Sequence, residues 1–506
     1  MLRKLRIGIS ALLFVLISFF FLDFAEILPN SFHRLAHLQF IPAVLSLSIG
    51  ILLFLIVLTL LFGRVYCSTI CPMGILQDVI ARISKSTGKK KKRYSYSPTK
   101  NKLRWGVLGL TVIGFLCGFT FIVGLLDPYS ADGRVVVHIF KPIYMLGNNL
   151  LESVFSKFDN YTFYQVDTSV LSISSLLIAI ITLAVIFVMA WKHGRTWCNT
   201  VCPVGTVLGL LSRFSLFKVR IDTAKCNGCG LCATKCKASC INSKEHAIDY
   251  SRCVDCFDCL GACKQKALVY NPSLKKQQAN VEAPVPSSPD TDSSKRRFLV
   301  TGLVTAGAAP KLLSQAKESV ARLEGKKAYK KENPITPPGS ISREHFQQQC
   351  TSCHLCVSKC PSHVLQPAFM EYGLAGIMQP TVSFEKGFCN FDCTVCGDVC
   401  PNGAILPISV EQKHLTQMGY VVFIEENCIV YTDGTSCGAC SEHCPTQAVA
   451  MVPYKDGLTI PHVNKEICVG CGGCEYVCPA RPFRAIYIEG NPVQKEAKPF
   501  KENEEH

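Results

Sequence analysis

Cysteine spacing constrains this chain more than any other feature of its sequence. Of the 30 cysteines among 506 residues, 24 fall into six groups of four with metal-ligand spacing. Disulfide scaffolds are usually short secreted chains, so the pattern predicts thiolates that bind metal. Two groups follow one another: Cys226-x2-Cys229-x2-Cys232-x3-Cys236 and Cys253-x2-Cys256-x2-Cys259-x3-Cys263. This spacing is typical of 4Fe-4S ligands, where a triplet and a remote fourth cysteine hold each cluster.

The two groups predict a two-cluster 4Fe-4S module of the bacterial ferredoxin type at residues 221–270. By the rule of exchanged fourth ligands, one cluster takes Cys226, Cys229, Cys232 and Cys263, and the other takes Cys253, Cys256, Cys259 and Cys236. Cys240 competes with Cys236 for the last position. Lys237 and Lys264 stand where ferredoxins usually have proline. A zinc module is the alternative, but zinc ribbons rarely pack eight cysteines as two such triplets.

Residues 1–220 have the composition of a membrane domain. Four apolar runs are each long enough to cross a bilayer: Leu5–Leu22, Ile41–Phe62, Trp105–Leu126 and Val170–Trp191. The loop 63–104 carries 11 Lys and Arg, whereas the loop 127–169 carries three. The positive-inside rule therefore places the basic loop and both ends of this block in the cytoplasm. Because this loop carries many of the basic residues, the net charge of +16 does not indicate a nucleic-acid partner.

An internal repeat follows the second and fourth runs. Each copy reads Gly-Arg-x-aromatic-Cys-x3-Cys-Pro-x-Gly, at Gly63–Gly74 and Gly194–Gly205. Duplicated membrane segments often place a site where the repeats meet. The two copies contribute Cys67, Cys71, Cys198 and Cys202. Four thiolates are enough for one more cluster or for a reactive dithiol, and a turn motif with incidental thiols is the alternative.

At these motifs, residues 1–270 resemble the NapH-type quinol-oxidising membrane ferredoxins and the membrane portions of NosR-type and CcoG-type proteins. The resemblance implies electron transfer from a membrane quinol, with the four repeat cysteines as a redox or quinol-linked catalytic site. The resemblance implies that the protein is primarily an electron carrier and that its activity is quinol oxidation.

Residues 271–339 form a linker that contains a candidate targeting signal. Residues 271–297 are rich in proline and serine, which predicts disorder. The segment Ser294-Lys295-Arg296-Arg297-Phe298-Leu299, with a weakly apolar run to Leu313, resembles a twin-arginine export signal. The alternative is an amphipathic linker helix that stays in the cytoplasm.

Residues 340–490 carry sixteen more cysteines, which predict four further 4Fe-4S clusters. The four groups all end in Cys-Pro: Cys350, Cys353, Cys356, Cys360; Cys389, Cys393, Cys396, Cys400; Cys428, Cys437, Cys440, Cys444; and Cys468, Cys471, Cys474, Cys478. The groups pair either first with second and third with fourth, or first with fourth and second with third. Strands are predicted at Tyr420–Ile424 and Ala485–Ile488. With the signal before it, this part resembles NapG/MauM-type polyferredoxins.

The expected fold is a four-helix transmembrane block plus small α+β bacterial-ferredoxin-like domains that bind about six 4Fe-4S clusters. A polar tail at 491–506 is predicted to be disordered. The chain is expected in the bacterial inner (cytoplasmic) membrane, with residues 221–270 cytoplasmic and residues 340–490 periplasmic. It would pass electrons from quinol to a periplasmic reductase or cytochrome. Two alternatives are a maturation factor that reduces a metal centre in a partner enzyme, and a wholly cytoplasmic polyferredoxin.

Overall fold

The computed structural model describes residues 2–23, 34–87, 94–166, 172–272 and 325–499. These residues divide into two compact units. Unit 1 comprises Met1–Leu274, Asn333–Met418 and Asn491–Glu496, and unit 2 comprises Lys275–Glu332, Gly419–Gly490 and Ala497–His506. The predicted export signal at 294–313 lies outside the described residues, as do most of the linker and the end of the tail.

Unit 1 begins with a block of helices. Their bounds are α1 Leu2–Leu22, α2 Arg34–His37, α3 Phe40–Leu45, α4 Ile49–Phe62, α5 Val65–Thr69, α6 Pro72–Thr87, α7 Asn101–Leu116, α8 Thr120–Leu126, α9 Pro128–Val135, a π-helical turn Val136–Phe140, α10 Lys141–Phe155, α11 Ile173–His193, α12 Thr196–Thr200 and α13 Pro203–Leu211. Glycines in the left-handed region end α4 and α11, as is common at helix C-termini.

The four predicted apolar runs do not form four continuous helices. Among the described residues, α1 and α11, each of 21 residues, are long and apolar enough to cross a membrane. The second run divides into α3 and α4 near Leu47, whose φ is +50°, and the third divides into α7 and α8 at Gly118, whose φ is +80°. Left-handed residues cannot continue a right-handed helix, so the expectation of four unbroken spans is wrong.

Two small ferredoxin-like modules complete unit 1. The N-terminal module, residues 217–272, contains β1 Phe217–Ile221, α14 Leu231–Lys235, β2 Ile241–Asn242, β3 Ala247–Ile248 and β4 Leu268–Pro272. β1 pairs antiparallel with β4, and β2 with β3. The middle module, residues 333–418, contains α15 Arg343–Gln349, α16 Leu355–Lys359, β5 Leu365–Pro367, β6 Pro380–Val382, α17 Val395–Asp398 and α18 Val410–Leu415, with β5 antiparallel to β6.

The C-terminal module, residues 419–490, forms the body of unit 2. Its elements are β7 Thr416–Phe423, α19 Ile429–Asp433, α20 Ala439–Glu442, β8 Val449–Pro453, β9 Thr459–Val463, α21 Gly473–Val477 and β10 Ile486–Glu496. β7 pairs with β10, and β8 pairs antiparallel with β9. The two predicted strands overlap β7 and β10, except for Ile424 and Ala485. Because β10 continues to Glu496, the prediction that the tail is disordered from residue 491 is wrong for residues 491–496. The predicted domain 340–490 is thus shared between the two units.

Candidate iron–sulfur cluster sites

A common backbone conformation shapes the four cysteine groups that contain Cys-x2-Cys-x2-Cys. In each, both residues that flank the middle cysteine have positive φ: Gly228 and Gly230, Asp255 and Phe257, Ser352 and His354, Gly470 and Gly472. These left-handed residues, one on each side of the middle cysteine, curl the chain around the three thiols. For a residue other than glycine this conformation costs about 1–2 kcal/mol. Strain of this kind is typical of functional sites.

The N-terminal module contains two cavities lined by cysteine. One cavity is lined by Cys226, Cys229, Cys232 and Cys263. A second is lined by Cys236, Cys240, Cys253, Cys256 and Cys259. Each triplet therefore meets a cysteine from the other group, as the spacing predicts. The donor sets consist of thiols in apolar surroundings, which fit a polynuclear cluster rather than a hydrated cation.

Cys236 and Cys240 both reach the second cavity, and their sulfur atoms are 3.5 Å apart. Burial raises the pKa of the Cys256 and Cys259 thiols, and the charge of Cys236 adds to both shifts. The Cys240 thiol in turn hydrogen-bonds to Cys253, the remaining member of the triplet. Both thiols therefore lie beside the triplet, and the assignment of Cys236 as the ligand stays a prediction.

The lysine after Cys236 has a structural role. Lys237 is buried, and its Nζ lies 2.9 Å from Asp258 and 3.4 Å from Asp78 of α6. Asp78 also pairs with Arg195 at 2.8 Å. Burial alone would raise the pKa of Asp78, but the charges of Arg195, Lys237 and Arg6 together hold that pKa well below its usual range. A proline at position 237 could not make this network, which attaches the module to the helical block.

The pairing that the sequence leaves open is visible in the middle module. Burial raises the pKa of the Cys356 thiol, and the charges of Cys353, Cys350 and Cys400 raise it further. Burial likewise raises the pKa of Cys396, followed by the charges of Cys389 and Cys360. The last cysteine of each group therefore lies beside the triplet of the other group, which indicates that the first group pairs with the second.

The third and fourth groups pair in the same way within unit 2. One cavity is lined by Cys428, Cys437, Cys440 and Cys478. Burial raises the pKa of Cys474, and Cys468, Cys471 and Cys444 add to the shift. The long spacer between Cys428 and Cys437 is accommodated by α19, which lies inside it.

The repeat cysteines Cys67, Cys71, Cys198 and Cys202 form what we call the four-cysteine centre. All four are buried, with 3–4% of their surface exposed. Burial raises the pKa of Cys71 well above its usual range, and the charges of Cys198, Cys67 and Cys202 raise it further. The two copies of the repeat therefore bring their thiols together, as predicted.

Each copy of the repeat donates a hydrogen bond to the other copy around this centre. Arg64 donates from Nη2 to the carbonyl of Cys198 (3.2 Å), and Arg195 donates from Nη1 to the carbonyl of Cys67 (2.6 Å). An added Cβ at Gly74 would lie 2.2 Å from the same Cys67 carbonyl. The arginine and the glycine recur in both copies of the repeat because both lie against the backbone carbonyl of the first cysteine. Two buried guanidinium groups beside four thiols also compensate negative charge, as an iron–sulfur cluster would require.

The four-cysteine centre adjoins the second cavity of the N-terminal module. Cys256 packs against the apolar core that includes Cys67, Cys71 and Cys202. Arg64 also donates to the carbonyl of Ser251 in that module (3.0 Å). An added Cβ at Gly63 would lie 2.3 Å from the Asp255 carboxylate. The two sites are therefore in direct contact.

The middle module docks on the other end of the helices. Lys359 pairs with Asp23, just beyond α1, at 2.8 Å, and both side chains are at most 7% exposed. Thr120 at the start of α8 donates to the carbonyl of Gln347 (2.7 Å). Arg134 of α9, fully buried, donates to the carbonyl of Ser352 (3.1 Å). The loop that carries Cys350, Cys353 and Cys356 is therefore embedded in the helical block.

Sequence reasoning missed the role of α9, since it treats 127–169 as a plain loop. Asp127 caps α9 and accepts from the backbone N–H of Ser130 (3.0 Å). Ala131 packs in the core of the four-cysteine centre, while an added Cβ at Gly133 would lie 2.6 Å from the Cys353 carbonyl. One short helix thus touches two cysteine sites. The available signal was the close succession of Asp127, Asp132 and Arg134 directly after an apolar run.

Within the part of the chain that the structure describes, no three His, Cys, Asp or Glu side chains are arranged to hold one ion. The thiols instead surround cavities, as ligands of a larger cluster do.

Comparisons with known proteins agree with this chemistry. A model described as a 4Fe-4S binding domain matches residues 45–91 and 175–222, which contain the two Cys-x3-Cys-Pro motifs, and a 4Fe-4S dicluster domain model matches residues 435–481. The ferredoxin-type protein NapG of Escherichia coli (strain K12) is 30% identical over 202 residues, 37% of this chain and 81% of its own length. The chain belongs to the NapG family of ferredoxin-type proteins. MauM of Methylorubrum extorquens, a methylamine utilization ferredoxin-type protein, is 32% identical over 204 residues, 38% of this chain and 86% of its own length.

This family assignment makes the chain an iron–sulfur electron-transfer polyferredoxin. NapF of E. coli (strain K12), also a ferredoxin-type protein, is 29% identical over 162 residues, 32% of this chain and 90% of its own length. No solved structure matches the chain. The resemblance of residues 1–270 to NapH-type proteins stays a prediction.

Proposed function

We propose that this protein carries electrons across a bacterial inner membrane, from quinol to a redox partner in the periplasm. The observation that carries the proposal is the position of α1. Arg3 at its start pairs with Asp258 of the N-terminal module, and Asp23 after its end pairs with Lys359 of the middle module. A helix of 21 residues is about 32 Å long, close to the hydrocarbon thickness of a bilayer.

Other helices of the block also have an end beside one of these two modules. At the end of α11, Gly194 lies against the carbonyl of Lys237, and at the start of α7, Arg104 donates to Ser251. Both contacts are to the N-terminal module, whereas α8 and α9 contact the middle module. A four-segment crossing is therefore proposed, with two of its segments interrupted.

The surface of these segments supports contact with lipid. Large apolar side chains are exposed along α1, α4, α7 and α11, including Leu12 (61%), Phe54 (50%), Ile113 (61%) and Ile181 (61%). Soluble monomers rarely expose so continuous an apolar surface. The basic loop 63–104 belongs to the end that holds the N-terminal module, which places that module in the cytoplasm by the positive-inside rule. The middle module would then be periplasmic.

The cysteines would hold six 4Fe-4S clusters as paired above, with Cys236 rather than Cys240 as ligand. The four-cysteine centre would hold one more, or a redox dithiol linked to quinol. Each bound cluster would supply storage for a single electron at its position. The protein's own contribution is to fix the order of the sites: N-terminal module, four-cysteine centre, α9 and middle module are successive neighbours in unit 1.

The quinol step is tested on purified full-length protein by changing both cysteines of one repeat to serine. We expect Cys67→Ser/Cys71→Ser and Cys198→Ser/Cys202→Ser each to abolish reduction of the clusters by a soluble quinol. The matched control is Cys117→Ser, which changes an exposed cysteine in the same helical block. Wild-type rates in both double variants would contradict the proposed role of the centre.

A further inference from the structure

α10 carries an apolar stripe that faces away from the other described residues of unit 1. Four large apolar side chains recur at intervals of three or four residues, which places them on one face of the helix: Ile143, Leu146, Leu150 and Val154. They are between 45% and 68% exposed. A surface helix of a soluble protein normally turns its apolar stripe toward the core. In α10 this direction is reversed.

The opposite face of α10 is polar and bonds to the protein. Lys141 is buried and donates from Nζ to the carbonyl of Ser358 (2.6 Å) and to its Oγ (2.8 Å). Asn149 donates from Nδ2 to the carbonyl of Val166 (2.8 Å) and accepts from the Val166 N–H (2.9 Å). The chain that returns from α10 therefore lies along the polar face. The apolar stripe is left uncovered by the described residues.

α10 begins next to the end of α1. Ser358, which binds Lys141, also donates from Oγ to the carbonyl of Phe21 (2.5 Å), and α10 packs against α1. With 15 residues α10 is about 22 Å long, too short to cross a hydrocarbon core of about 30 Å. Beyond its end, Phe158 and Tyr161 are 78% and 77% exposed. Tyrosine is enriched where lipid meets water, so the whole segment has the composition of an interfacial helix.

We propose that α10 lies in the periplasmic surface of the bilayer, with its apolar stripe among the lipid chains just below the headgroups. The proposal rests on the proposed function, because that function places the end of α1 at this surface. Lipid is the occupant because α10 adjoins α1, whose exposed side chains Leu12 and Val15 face lipid in that function, and because the stripe carries no charge. Through Lys141 and Ser358, the inserted helix holds the middle module against the membrane.

The test is photolabelling of the full-length protein in phosphatidylcholine vesicles. A small fraction of the lipid carries a diazirine group, either near the headgroup or at the end of the acyl chain, and the labelled residues are mapped by mass spectrometry. The apolar stripe should be labelled mainly from the headgroup end. Ile181, which is 61% exposed near the middle of α11, should be labelled from the chain end. Asn149, on the polar face of α10, should stay unlabelled.

A double substitution, Leu146→Glu/Leu150→Glu, should lose most of the label on α10, because carboxylates avoid the hydrocarbon region. Both positions are exposed, so the folded protein in detergent should be little affected. Label at Ile181 should remain at the wild-type level. The matched control is Gln165→Glu, which adds a charge at an exposed position of the returning chain. The control should be labelled as the wild type is.

Label at Ile181 without label on the stripe of the wild-type protein would overturn this proposal and leave the proposed function standing. Label that reaches the stripe only when the protein is diluted in lipid would also overturn it, in favour of a second copy of the chain as the occupant. Absence of label at both places would contradict the proposed membrane crossing as well.

Discussion

Substitution of Gly133 by alanine tests whether α9 holds the middle module in place. The new Cβ would lie 2.6 Å from the Cys353 carbonyl and 2.8 Å from the Phe21 ring, closer than real Cβ contacts allow. Overpacking of this kind costs about 1–3 kcal/mol, which corresponds to about a 5- to 150-fold loss in the equilibrium for docking. The loop that must move carries the first cysteine triplet of the module.

Hydrogen exchange measured by mass spectrometry on the cluster-loaded protein reports this equilibrium directly. Amides of residues 350–359, which are buried in the docked state, should exchange about 5- to 150-fold faster in Gly133→Ala. The control is Gly147→Ala on α10, where an added Cβ meets nothing within 4 Å. That variant should match the wild type at 350–359. Equal protection of this loop in both variants and the wild type would refute the docking role of α9.

Three further experiments have defined outcomes. Cys236→Ser should remove one cluster by iron analysis and electron paramagnetic resonance, whereas Cys240→Ser should retain it; the reverse result would reassign the ligand. Cys400→Ser should disturb the same signal as Cys353→Ser, because the first group pairs with the second; separate signals would contradict that pairing. Asp78→Asn should destabilise the protein by about 3–5 kcal/mol, since it leaves buried cations unpaired. Because the folded-state pKa of Asp78 is depressed, its stabilising effect is present above its unfolded pKa of about 4 and is lost only in stronger acid. The stability difference should therefore be constant from about pH 5 to pH 8, and a difference that varies in this range would contradict the network.

The local parts of the cluster sites could be predicted from sequence because they depend on short spacing. Two residues between cysteines leave little freedom, and the chain curls at Gly228 and Gly230 without strain. The repeat also predicts where its two copies meet, because Gly-Arg and Cys-Pro-x-Gly recur together in both copies. The reciprocal contacts of Arg64 and Arg195 then follow from a near-twofold arrangement of the two copies.

Long-range features could not be predicted in the same way. The Asp23–Lys359 pair joins residues 336 apart, so nothing in either local sequence indicates the other. The pairing of the cysteine groups depends on the same kind of tertiary contact. The helix breaks were missed because hydropathy measures how apolar a run is, whereas the backbone of Leu47 and Gly118 decides whether the run is continuous.

The most direct test of the central claim is the side of the membrane on which each module lies. A protease recognition sequence is inserted between Lys244 and Glu245 of the N-terminal module or between Gly373 and Leu374 of the middle module, where all four residues are exposed. Protease is then added to right-side-out spheroplasts or to inverted vesicles. The transmembrane arrangement predicts cleavage of the middle module only in spheroplasts and of the N-terminal module only in inverted vesicles. Cleavage of both modules from the same side would contradict it.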